Sequence, residues 1–176
     1  MTVGILGLGL IGGSLARAYK LAGHTVYAKN LEPEMLSFAM LAGAVDGALD
    51  EETIPRCDLL LLAIYPEGSA AWLESNGERI TRDALVIDCC GTKQLVCSRC
   101  FPVARRYGFT FVGGHPMAGS QFSGFKYSRA TLFQGAPMVL VPPVYDDMAL
   151  LQRVKDALEP CGFGFFSVTT AEAHDR

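Results

Sequence analysis

The chain has 176 residues, and 15 Lys+Arg against 18 Asp+Glu leave a formal net charge of −3. One domain is expected at this length, and with 50% apolar residues, 19% charged and a mean hydropathy of +0.26 a disordered chain is excluded. A charge this near neutral, without a basic block, argues against a nucleic-acid partner, and the longest apolar run, Leu59–Tyr65, is far short of the ~20 residues of a membrane span.

In chain order, short apolar strands alternate with helical patterns. The chain opens Met-Thr-Val-Gly-Ile-Leu with no basic n-region, so no signal peptide is expected and a cytoplasmic location is. Thr2–Leu6 reads as a strand running into a Gly-rich turn, Gly7–Gly13. Ile11–Leu21 reads as a helix stopped at Gly23, the place of a left-handed cap. Thr25–Ala28 is a second strand, and Pro33 suits the first turn of a helix running to Leu41. Leu59–Ile64 is an unbroken apolar strand closed by Pro66, and Leu85–Ile87 is another, ending at Asp88. Unbroken runs of this kind fit a parallel sheet covered on both faces.

Thr92–Cys100 reads as a helix, continued by Pro102–Tyr107 after a kink. Phe109–Val112 is a strand leading into a Gly113–Gly119 loop, and a helix is expected near Ser128–Phe133. Pro137–Val141 is a strand, Asp147–Leu158 an amphipathic helix with Leu150, Leu151, Val154 and Leu158 on one face, and Gly164–Val168 a last strand. This β-α alternation predicts a single α/β domain of the doubly wound Rossmann type over residues 1–168. Thr169-Thr170-Ala171-Glu172 matches a capping box and announces a helix start. A helix that begins four residues before Arg176 predicts that residues 169–176 open an interdomain helix, and that the chain is the N-terminal part of a longer protein.

Six cysteines stand at 57, 89, 90, 97, 100 and 161. Cys97 and Cys100 form C-x-x-C, but no second pair follows at zinc spacing, and the motif falls late in a helical stretch instead of opening one. Buried thiols are expected, and no metal.

Gly7-x-Gly9-x-x-Gly12 carries the most chemistry. It follows a strand and opens a helix, the setting of a dinucleotide-binding turn: Gly7 permits the bend, Gly9 admits the pyrophosphate, and Gly12 lets the helix pack on the strand. The helix start at Leu10 and Ile11 then offers free N–H groups to phosphate. The second strand ends Lys29-Asn30, where an NAD enzyme is expected to carry an acidic ribose ligand. Asn30 removes the repulsion a carboxylate exerts on a 2′-phosphate, and Lys29 adds positive charge, which tilts the cofactor toward NADP over NAD, while Glu32 two residues on could still reach back to the ribose. Ile64, Tyr65 and Pro66 end another strand at the same edge, bordering the adenosine or nicotinamide. Thr92 and Lys93 follow the next strand and are expected to face the crevice, Lys93 toward an anionic ligand. His115, between glycines and a proline in a loop after a strand, fits a neutral general base for a substrate hydroxyl.

These segments resemble the prephenate/arogenate dehydrogenases of tyrosine biosynthesis. The resemblance rests on Gly7–Ala16, Asp88-x-x-Gly-Thr-Lys93, Gly113-Gly-His-Pro-Met-Ala-Gly119, Leu132–Pro137 and Glu172-Ala-His-Asp-Arg176, in order along the chain. It implies that His115 is the catalytic histidine, accepting the ring-hydroxyl proton while hydride passes to NAD(P) and CO₂ leaves. It places prephenate or arogenate near Thr92, Lys93, Ser120 and Gln121. It also implies a helical C-terminal domain that makes the complete enzyme a homodimer and supplies further substrate contacts, so the present chain alone is expected to bind dinucleotide without turnover. Gly91 stands where many members carry Ser, and Gln121 where some carry Glu. Two other readings of the residues remain open: another two-domain NAD(P) dehydrogenase of the β-hydroxyacid or imino-acid reductase type, and a non-catalytic NAD(P)-sensing module.

Overall fold

A computed structural model describes all 176 residues, Met1–Arg176. Eight strands form one sheet in the order β3-β2-β1-β4-β5-β6-β7-β8. They are β1 (Thr2–Leu6), β2 (Thr25–Lys29), β3 (Gly47–Ala48), β4 (Leu59–Leu62), β5 (Leu85–Asp88), β6 (Thr110–Pro116), β7 (Pro137–Val141) and β8 (Phe165–Val168). The helices are α1 (Leu10–Leu21), α2 (Pro33–Leu41), α3 (Pro66–Asn76), α4 (Gln94–Tyr107), α5 (Met148–Ala157) and α6 (Ala171–His174). All pairings from β3 to β6 are parallel, β7 runs antiparallel to β6, and β8 is parallel to β7. The chain goes outward from β1 to β3, then returns to β4 on the other side of β1. Beyond the carboxyl ends of β1 and β4 the crossovers diverge, and a doubly wound sheet opens its ligand crevice there.

The unbroken apolar runs follow from burial on both faces. Leu59 and Leu61 join one core, with Leu15 and Tyr19 of α1 and Val154 of α5. Leu60 and Leu62 join the other, with Leu73 of α3 and Cys97 and Cys100 of α4. Each of the four leucines is at most 1% exposed, so truncating any one to Ala would cost about 2–5 kcal/mol.

Several elements depart from the sequence reading. Pro66, taken as a strand stop, is the first residue of α3; a proline fits that position because its missing N–H has no helical partner there. The helix was hidden because its buried face consists of Ser69, Ala70 and Leu73, too small and polar to show an apolar period. α4 runs continuously through Pro102, held against the sheet by the buried Val96, Cys97, Cys100 and Ala104. No helix forms at Ser128–Phe133; a single 3₁₀ turn, Phe125–Tyr127, and further turns replace it. The adjacent Leu132 and Phe133 are both buried in the same core, delivered there by the turns over residues 130–135. The last helix is capped one residue later than the capping-box reading, with Thr170 Oγ1 accepting the N–H of Ala173.

The most consequential difference is β6. It continues to Pro116, so His115 stands in a strand and not in a loop. Thr110–Val112 pair with β5, whereas Gly113–Pro116 pair with β7. The two glycines sit where side chains have no room: a Cβ on Gly113 would lie 2.7 Å from Cys97 Sγ, and one on Gly114 2.6 Å from the Asp88 carbonyl oxygen. Close packing, not turning, requires them. No helix is long and apolar enough to cross a membrane.

Candidate active site

The Gly-rich turn leaves β1 through Gly7, at φ +95°, where a Cβ would meet the Ala63 carbonyl oxygen at 2.6 Å. A Cβ on Gly12 would stand only 1.8 Å from the Gly7 carbonyl oxygen, so α1 packs against the turn only with glycine there. Gly9 is different, with nothing within 4 Å of its Cβ position. It is the N-cap of α1, which has neither a side-chain cap nor an acidic residue in its first turn. The leading N–H groups of α1 therefore stay open to an anion, and the bare Gly9 lets one approach.

The turn is tied to β2. Gly7 donates its N–H to the Lys29 carbonyl at 2.8 Å, and Leu8 donates its N–H to Asn30 Oδ1 at 2.9 Å. Asn30 was expected to meet the ribose, but its carboxamide oxygen holds the turn and its amide group donates to the Glu32 carbonyl at 3.4 Å. Between these segments and α3 lies a cleft of about 800 Å³, lined by Gly7, Gly9, Ile11, Asn30, Ile64, Tyr65 and Pro66 among others. Lys29 is the lining cation and Glu67 the lining carboxylate; Glu32, the N-cap of α2 just beyond β2, does not line the cleft. The Leu10 side chain packs against the core, so only its backbone N–H is offered at the start of α1, and Gly12 is buried behind the turn in the packing role expected of it. Thr92, expected to face the crevice, is exposed on the β5–α4 loop and does not line the cleft. The neighbouring Gly91 does.

Lys93 does not face the crevice. It is 0% exposed and forms an ion pair with Asp88, also 0% exposed. Asp88 further accepts the N–H of Cys90 at 3.0 Å and of Gly114 at 3.1 Å. The pair stitches the end of β5 to β6, and a buried cation so compensated is not free to hold a substrate. Ser120 and Gln121 are exposed after β6, beside the stacked rings of Phe122 and Tyr127, 4.8 Å apart. The Cys97 thiol is buried and pushed up to about 12 by desolvation, and burial raises Cys100 as well, the condition of inert core thiols.

His115 is half-buried behind Gly91, which lines the cleft, and is not itself a lining residue. Its Nε2 faces Gly91, 3.9 Å from where that glycine's Cβ would stand. Its Nδ1 lies 2.9 Å from His174 Nε2, and His174 Nδ1 lies 2.7 Å from Asp175 Oδ1. The Asp175 carboxylate also accepts the N–H groups of Lys93 at 2.8 Å and Gln94 at 2.9 Å at the start of α4. Burial first, then the neighbouring His174 and Lys93, hold the His115 imidazole below its usual pKa of 6.5. Burial opposes ionisation of Asp175, yet the bonds from His174 and the two N–H groups keep it below the usual carboxylate range. The sequence reading assigned no role to His174 or Asp175. Their motif was visible in Glu172–Arg176, but the contact spans 59 positions and exists only because α6 returns to β6 and α4.

Comparison with known proteins agrees with this geometry. The profile of one family, described as prephenate dehydrogenase, nucleotide-binding domain, matches residues 15–166. The probable prephenate dehydrogenase NovF of Streptomyces niveus is 34% identical over 175 residues, covering 99% of this chain and 47% of that protein. Among solved structures, Synechocystis arogenate dehydrogenase superposes with a TM-score of 0.87 at 28% identity, over 99% of this chain and 61% of the other. The prephenate dehydrogenase of A. aeolicus, in complex with hydroxyphenyl propionate and NAD+, gives 0.84 at 28%, with the same coverage of 99% and 61%. The chain spans about half the length of the curated relatives it matches. By this profile match, and by the dinucleotide turn and histidine the fold brings to one edge, the chain belongs to the prephenate dehydrogenase family, as its nucleotide-binding domain.

Proposed function

We propose that this chain is the cofactor-binding half of an enzyme that oxidatively decarboxylates prephenate or arogenate, with His115 as general base. The observation that carries the reading is the His115 Nε2 at the Gly91 wall of the dinucleotide cleft. The open Gly9 face, the uncapped α1 start and the cleft volume fit a nicotinamide dinucleotide, whose phosphates the N–H groups of α1 would hold. When bound, that cofactor supplies the hydride acceptor. His115 takes the proton of the ring hydroxyl as hydride leaves the same carbon, and loss of CO₂ then makes the ring aromatic. Gly91 offers no hydroxyl beside Nε2, so Thr92, next in the loop, is the nearest hydroxyl residue in sequence for the substrate oxygen. Ser120 and Gln121 lie on the loop after His115 and belong to the same substrate reading. The complete enzyme is a homodimer in this reading, joined outside residues 1–176, which sedimentation of the complete gene product tests.

In the complete gene product, His115→Asn should lower kcat by roughly 10²–10⁴ and leave the cofactor Kd nearly unchanged. Burial, then His174 and Lys93, hold the pKa of His115 below that of an ordinary imidazole, so the acidic limb of the wild-type pH–rate profile should fall on the acid side of an ordinary histidine's titration and vanish in the variant. Retention of near-normal kcat by His115→Asn would reduce His115 to a structural residue and remove the reading.

NADP is the favoured cofactor in this reading, with NAD as the alternative. The support is the lining Lys29 and a cleft lining in which the segment after β2 contributes Asn30 and Leu31 but not Glu32. Calorimetric titration should find NADP bound at least as tightly as NAD, and a tenfold preference for NAD, about 1.4 kcal/mol, would contradict it. Asn30→Asp is the informative variant. An Asp keeps the oxygen that accepts the Leu8 N–H, so the turn survives while the added charge shifts the balance toward NAD.

A further inference from the structure

Three segments far apart in sequence meet behind His115: β6, the start of α4, and α6. Asp175 is fixed by the two N–H groups at the start of α4, and α6 is capped by Thr170, so the His174 ring is held from both sides. We infer that His174 and Asp175 are positioning residues that hold the His115 proton on Nδ1 and so leave Nε2 as a free lone pair toward Gly91. Each link follows from donor and acceptor chemistry. An ionised carboxylate only accepts, so the contact between His174 Nδ1 and Asp175 Oδ1 requires the proton on His174 Nδ1. In the form with both imidazoles neutral, His174 Nε2 is then an acceptor. The 2.9 Å contact with His115 Nδ1 is a hydrogen bond only if His115 donates from that atom. Nε2 is thereby bare, which is the protonation state a base facing the cleft needs.

The arrangement also serves the charged form. A proton gained at Nε2 leaves the Nδ1–H bond to His174 in place, backed by the Asp175 carboxylate. Lys93 and Asp88, the other charged groups facing His115, are paired with each other and make no hydrogen bond to the ring. The two histidine rings stand edge to face, 5.0 Å apart and 69° inclined. A purely packing role for His174 would be satisfied by any aromatic ring, whereas proton placement needs an acceptor at the Nε2 position.

The inference rests on His115 being the base, but its test requires no turnover. Imidazole nitrogen–proton NMR of the 176-residue chain at pH 8 should show His115 protonated on Nδ1. His174→Phe should move it toward the Nε2–H tautomer that free histidine prefers, and His174→Gln, whose amide oxygen accepts, should restore Nδ1–H. In the complete gene product His174→Phe should lower kcat ~10-fold or more with the cofactor Kd unmoved, as expected for a base in the wrong tautomer. His115 found as Nε2–H in the unmodified chain, or unchanged in His174→Phe, would overturn the inference even if His115→Asn is inactive. Nδ1–H protonation together with full activity of His115→Asn would overturn the catalytic role while leaving the proton placement intact, so the two failures are distinguishable.

Discussion

Removing one member of the Lys93–Asp88 pair would leave a bare charge inside the protein. Lys93→Met keeps the stem that packs beside Gly113 but strips the compensation from a carboxylate that is 0% exposed. A loss of about 3–5 kcal/mol is expected, read as a lower midpoint in chemical denaturation with an unchanged slope. A loss under about 1 kcal/mol would show that the backbone N–H groups of Cys90 and Gly114 suffice for Asp88. Lys93 is also the residue whose sequence reading failed most clearly. A lysine beside a helix start invites an anionic ligand, and nothing local in the sequence reveals that the anion is a side chain of the preceding strand. Asn30 shows a milder case, since its position was legible but its bond to Leu8 depends on the path of the turn.

At the scale of the elements, the glycines of the turn divide by what surrounds them. Gly7 and Gly12 face backbone at 2.6 and 1.8 Å, whereas Gly9 faces open space. Gly9 has φ −85°, which any residue adopts, so Gly9→Ala should change stability by less than about 1 kcal/mol, the modest cost of a poorer N-cap. Its methyl group would still intrude where a pyrophosphate approaches. A cofactor Kd weakened at least ~10-fold with an unchanged melting temperature is the expected pair of results; unaltered binding would place the phosphates elsewhere. The motif itself was legible because three functions recur at one spacing. α3 was not, because its buried face is small and polar, and β6 was misjudged because its paired glycines look like a loop until Cys97 and Asp88 are seen against them.

For the whole molecule, the two ends of the chain are locked by a few long-range contacts. The buried Tyr19 hydroxyl on α1 donates to the Ala157 carbonyl at the end of α5, at 2.6 Å and 138 positions away. Tyr19→Phe keeps the ring and leaves that carbonyl without its hydroxyl donor, so about 1–3 kcal/mol of stability should be lost, measured by thermal or denaturant unfolding. No change would mean that water replaces the hydroxyl. The sequence alone determined the β-α alternation, the doubly buried parallel strands, the dinucleotide turn and the prominence of His115. Those features are encoded locally, in apolar runs, glycine spacing and residue chemistry that need no distant partner. Only the tertiary structure decided that Lys93 is spent on Asp88, that β6 changes partners beneath His115, and that His174 and Asp175 stand behind it. The Lys93–Asp88 pair lies within five positions, but its burial depends on the packing of β6 and α4 over it. The other two depend on which segments the sheet order brings within hydrogen-bonding distance, and a separation of 59 positions leaves no local pattern for a one-dimensional reading to find.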